Sequence, residues 1–94
     1  MQNTAKFQLQ DWFNITGRGL VIAGQIIEGG ITAGDYVCIN DKTIKIKSVE
    51  IGDKRPNEFF IGLILEIKDQ IDISPALKKL KGKTLLVLAA TTVN

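Results

Sequence analysis

The sequence predicts an all-β fold, a small closed antiparallel barrel, on three observations. Apolar residues recur with a period of two along most of the chain, glycines break that pattern at short intervals, and only one short stretch has helical character. Six such segments form a sheet, and closing the sheet removes the free apolar edges that would otherwise template aggregation. The chain has 94 residues, which allows one domain over positions 1–94. Folding at this size buries roughly 64% of the unfolded surface, enough for a core without disulfides.

The first strand is expected over residues 7–15. Phe7, Leu9, Phe13 and Ile15 alternate with Gln8, Gln10, Trp12 and Asn14. This phase points Asp11 inward and Trp12 outward. Gly17-Arg18-Gly19 supplies a turn in which either glycine can take positive φ. Leu20 to Ile27 is apolar on both faces and so is expected to be covered on both sides, with Gly24 marking a bulge or a close backbone approach. Gly29-Gly30 and Ala33-Gly34 break the chain before strands at 35–39 and 43–51, which are joined by a tight Asn40-Asp41-Lys42 turn. The apolar phase switches around Ser48, which places a bulge there. Residues 52–58, with Pro56, read as a polar loop, and the fifth strand as 59–67. Ser74-Pro75 opens one or two helical turns, with Ser74 as N-cap and Pro75 at the first helical position. Gly82 ends that segment, and Thr84 to Leu88 forms the last strand.

Twelve Lys and Arg against ten Asp and Glu give a net charge of +2, below what nucleic-acid binding by charge alone requires. There is no histidine, which removes imidazole as general base or metal ligand and with it the Ser-His-Asp and Cys-His systems. The single cysteine, Cys38, reads as a small apolar strand residue. No apolar run reaches the length needed to span a bilayer, and the first residues carry no secretion signal, so a cytoplasmic protein is expected. Asn14-Ile15-Thr16 matches a glycosylation acceptor but has no meaning without secretion.

Two glycine motifs imitate phosphate sites. Gly82-Lys83-Thr84 resembles the tail of a P-loop, but Leu77 stands where its first glycine belongs and an apolar strand follows where a helix is needed. Gly17-Arg18-Gly19 with Gly24 matches a dinucleotide fingerprint only loosely. Asp69 and Asp72 lack the further spaced oxygen ligands of a calcium loop. No cofactor or metal is therefore expected. An inward Asp11 would need hydrogen bonds to offset its desolvation, either within a turn or bulge or from a ligand. Lys78, Lys79, Lys81 and Lys83 form a cationic cluster, with Lys42, Lys45 and Lys47 on the hairpin. Such lysines form either a phosphate-binding patch or a solvated face that protects edges. Trp12, if outward, is a candidate partner contact.

The run from Phe13 to Gly24, followed by Gly29, Ile31 and Gly34 to Ile39, resembles the second, β-barrel domain of translational GTPases such as elongation factor Tu. Lys47 to Glu50, Ile61-Gly62-Leu63 and Leu80-Lys81-Gly82 agree with it, and the resemblance spans about residues 7–88. It implies a six-stranded Greek-key barrel, which in that family is an accessory module beside a GTPase domain and contacts the ribosome or aminoacyl-tRNA. This chain has no P-loop, so no GTP hydrolysis follows. Gln10 and Ile27 stand where the family has carboxylates, which argues against recognition of the aminoacyl end, while Asp11 is kept.

The function expected is a non-enzymatic, stand-alone binding or adaptor module. Its apolar segments, Leu20–Ile27 and Phe59-Phe60, would be covered by a protein partner or a second copy. The alternative is association with RNA or the ribosome through Arg18, the Gly17–Gly19 turn, Lys78 to Lys83 and Trp12.

Overall fold

In the computed structural model, which describes residues 3–55, 58–67 and 73–90, the chain is almost entirely β-strand. The strands are β1 (Asn3–Ile15), β2 (Gly19–Gly29), β3 (Tyr36–Ile39), β4 (Lys42–Arg55), β5 (Glu58–Leu65) and β6 (Thr84–Leu88). One helix, α1 (Ser74–Leu80), lies between β5 and β6. All pairings are antiparallel and form one sheet in the order β1-β2-β5-β4-β3-β6, which returns to its start because β6 pairs with β1. Among the described residues no helix is long and apolar enough to cross a membrane.

Four expected turns and breaks appear where the glycines lie. Gly17, Gly19, Gly29, Gly34 and Gly82 all have positive φ, and the two-residue Asn40-Asp41 turn closes the β3–β4 hairpin with Asn40 at φ 56°. Gly24 is required for a different reason. A Cβ there would overlap the Gln8 carbonyl of β1, so the two backbones approach where only glycine fits. The bulge expected near Ser48 is also present: Ile46 faces Leu65 and Ser48 faces Ile64, leaving Lys47 unmatched.

The phase of β1 differs from the expectation, and the cause is a bulge. Leu9 faces Gly24 and Asp11 faces Ala23, so Gln10 is the extra residue and every side chain beyond it changes face. Phe7 and Leu9 are fully buried, as expected. Beyond the bulge, Trp12 joins Ile22, Leu63 and Val49 in one cross-strand row that faces the core. Phe13 falls in the next row, with Val21, Ile64 and Ser48, which faces outward. Asp11 is exposed, not inward, and Trp12 is half-buried against the core, not outward. Phe13 and Ile15 do not share the face of Phe7 and Leu9.

The core is built from the inward rows, with Phe7, Leu9, Ile22, Ile39, Ile46 and Leu63 fully enclosed. Leu77 of α1 and Ile73 just before it add to the same cluster, so the short helix packs onto the ring and does not stand off it. Ile73, not Ser74, occupies the N-cap position, no side chain caps the helix, and Pro75 falls at the second helical position, one place later than expected but still in the first turn. β2 is buried on both faces from Leu20 to Ala23, but Ile27 at its far end is exposed.

β4 is longer than the sequence suggested, running through Gly52 and Asp53 to Arg55 where a loop was expected. Its partner explains this. Gly52 faces Phe60, whose ring occupies the place of the missing side chain, so aromatic cover replaces strand propensity. β5 begins one residue earlier than expected and ends at Leu65. The buried carboxylate of Asp35 ties the loop before β3 to the segment after β6. It accepts hydrogen bonds from the Thr32 N–H (3.0 Å), the Thr32 hydroxyl (3.3 Å) and the Ala90 N–H (3.3 Å).

Candidate functional site

The outward rows of β1, β2, β5 and β4 enclose an open groove of about 150 Å³. Its floor is Val21, Gly62 and Ile64. Val21 and Ile64 are buried although they lie outside the central core cluster. One wall is the edge-to-face pair Phe13–Phe60, with ring centroids 6.5 Å apart and planes at 86°. Ile15 continues the apolar lining, and Glu50 is its one charged residue. The groove follows from local sequence. The Gln10 bulge turns Phe13 and Ile15 outward, and Gly62, tight against a Val21 methyl, keeps the floor low.

A clasp joins the β1–β2 turn to β4 beside this groove. Both terminal nitrogens of the Arg18 guanidinium donate to Glu50, Nη1 to Oε1 at 3.0 Å and Nη2 to Oε2. The Ser48 hydroxyl donates to Glu50 Oε2 at 3.4 Å. The hydrogen bonds from Arg18, and then its charge, lower the Glu50 pKa below the ordinary carboxylate value; the same pair raises that of Arg18. Two glycines at positive φ and an Arg18 N–H bond to the Ile15 carbonyl (2.9 Å) form the turn that presents this guanidinium.

The site residues expected from sequence divide between different regions. Gly17, Arg18 and Gly19 stand at the groove end through the Glu50 clasp, so Arg18 is already engaged and does not present a bare cation. Asp11 is exposed, and its Oδ1 accepts the N–H of Trp12 at 2.8 Å, an arrangement within the bulge that satisfies its carboxylate locally. Trp12 belongs to the core side. Lys78, Lys79, Lys81 and Lys83 are all exposed on α1 and the turn after it, and none lines the groove. That turn is fixed to β1 through the Gly82 N–H to the Leu9 carbonyl (2.6 Å) and the Leu9 N–H to the Lys83 carbonyl (3.0 Å). It leads into strand β6, as the reading against a P-loop requires. Asp69 and Asp72 lie outside the described residues.

Sequence reasoning missed Phe13, Ile15, Glu50 and Phe60 as members of one site. The signal was present in the two misfits of β1, Asp11 on an apolar phase and Trp12 on a polar one, which a single inserted residue resolves. Cys38 is half-buried in β3, and burial raises its thiol pKa, consistent with an apolar strand role. Among the described residues no group of three Cys, Asp or Glu side chains is placed to hold a metal ion. No protein-family model matches the chain, and no curated protein matches it either.

Proposed function

We propose that this chain is a non-enzymatic binding module, a closed six-stranded Greek-key barrel of the translation-factor second-domain type that holds a protein partner on its outer surface. The strand order supports the Greek-key reading. β3, β4 and β5 are consecutive hairpin-connected strands, and β6 returns to lie beside β3, which gives the 4-1-2-3 arrangement. The observation that carries the function is the outer groove. An apolar depression on a strand face, flanked by Phe13 at 38% exposure, costs solvation unless something fills it. Its volume is that of a cavity which admits one benzene-sized ring. The group it fits is a single aromatic or branched aliphatic side chain of a protein partner, held beside the Arg18–Glu50 clasp.

The test is retention of a partner from native extract by the wild type and by Ile15→Glu, which places a charge in the groove wall. The reading predicts a defined partner lost in Ile15→Glu, and equally retained after nuclease treatment and after Lys78, Lys79, Lys81 and Lys83 are changed to Gln. The alternative, RNA or ribosome association, rests on the four exposed lysines. It predicts the reverse, with retention abolished by nuclease, by raised salt and by the Gln variant. Loss through the lysines and not through the groove would replace the first reading with the second.

A further inference from the structure

The β4–β5 ribbon carries a second interaction surface, which adjoins the outer groove because Glu50, Ile51 and Gly52 of β4 also line that groove. β3 pairs with β4 only from Lys42 to Lys45, and the Ile46 N–H and carbonyl bond to the chain at Asp35 and Gly34. From Ser48 to Asp53, β4 pairs with β5 on one side and, among the described residues, with no strand on the other. The opposite edge of the ribbon is treated differently, because the Gln25 side chain donates to the Phe59 carbonyl at 2.7 Å. On the ribbon face that continues the core rows, Ile51 and Phe59 lie beyond the core and are 71% and 54% exposed. An open strand edge beside exposed apolar side chains is a template for another strand.

We infer that this edge pairs with the same edge of a second copy, antiparallel and centred on Ile51. In that register alone the edge sequence Val49-Glu50-Ile51-Gly52-Asp53 puts its most exposed apolar side chain on the axis and keeps its carboxylates apart. A two-fold axis through the Ile51 position sets Ile51 against its counterpart, Glu50 opposite Gly52 and Val49 opposite Asp53. Centring on Glu50 places two carboxylates face to face, and centring on Gly52 sets Ile51 against Asp53. Phe59, diagonal to Ile51, widens the apolar contact. So few residues per copy form an interface below the standard size, so the dimer is weak and forms reversibly with concentration.

Sedimentation velocity across a concentration series, combined with amide hydrogen exchange, tests this. The expected result is a rise in mass towards two copies, with added protection confined to Lys47–Asp53. Ile51→Lys, on an exposed side chain, weakens the association at least tenfold while leaving the single-tryptophan fluorescence of the folded chain unchanged. Phe13→Ala, in the outer groove, leaves it intact. A monomer at every concentration overturns the inference. So does a dimer indifferent to Ile51→Lys, or one lost in Phe13→Ala, which would move self-association to the groove. Protection of Lys47–Asp53 that arises only with a different protein would give the edge to that protein and overturn it equally.

Discussion

Gly24 and Gly30 are both glycines without a positive φ in or beside the same strand, yet their substitution should have opposite consequences. A Cβ at Gly24 meets the backbone of Gln8, whereas one at Gly30 meets nothing within 4 Å. Gly24→Ala is therefore expected to lose about 1–3 kcal/mol or more through forced separation of β1 and β2, and Gly30→Ala to stay within about 0.5 kcal/mol. Urea unfolding of the two variants measures the difference. Asp35→Ala leaves the Thr32 and Ala90 donors without their acceptor and is expected to cost about 1–3 kcal/mol by the same measurement. Glu50 provides the pH prediction. Its folded pKa lies below the unfolded value, so its contribution is present above the unfolded pKa and fades as pH falls through the folded one. Arg18→Gln should raise the Glu50 pKa, read from its side-chain carboxyl resonance in a proton-coupled NMR titration. An unchanged pKa would mean that the clasp does not persist in solution.

Strand β1 begins at Asn3, four residues before the expected start, and although its end at Ile15 was placed correctly its phase was not. Period-two alternation located it, but a bulge inserts a residue wherever pairing with the neighbouring strand is best served, and no propensity of Gln10 signals that choice. The misfits at Asp11 and Trp12 were its only trace. The consequence is measurable because Trp12 is the single tryptophan. Packed against the core, it should emit to the blue of free tryptophan, and Trp12→Ala should cost roughly 2 kcal/mol, below the cost of a fully buried ring. An outward Trp12 would show neither effect. β4 teaches the complementary lesson. Gly52 and Asp53 are poor strand formers and Pro56 lies near, so a loop was the natural expectation. Cross-strand pairing with Phe60 and Phe59 overrides local preference. The glycine turns were legible because positive φ is a property of one residue; the β4 extension was not, because it belongs to a pair.

At the scale of the whole molecule, closure of the strand ring determines where function can reside. The interior is filled by aliphatic and aromatic side chains, so the remaining chemistry lies on the outside and at the strand ends. Among the described residues three candidate surfaces lie there: the outer groove with its Arg18–Glu50 clasp, the lysines of α1 and its following turn, and the free edge of β4. The sequence made the lysines conspicuous and left the groove hidden, because the groove is assembled from four strands and depends on the face reversal at Gln10. Its residues stand far apart in the chain and have no common motif. The most direct test of the groove as the working surface is photo-crosslinking in the native cell from a photoreactive phenylalanine at position 13, compared with one at Thr43, which is exposed on the β3–β4 hairpin. A discrete protein adduct from position 13, absent from position 43 and lost when Ile15→Glu is added, is the predicted result. Equal labelling from both positions, or none from position 13, would contradict the account.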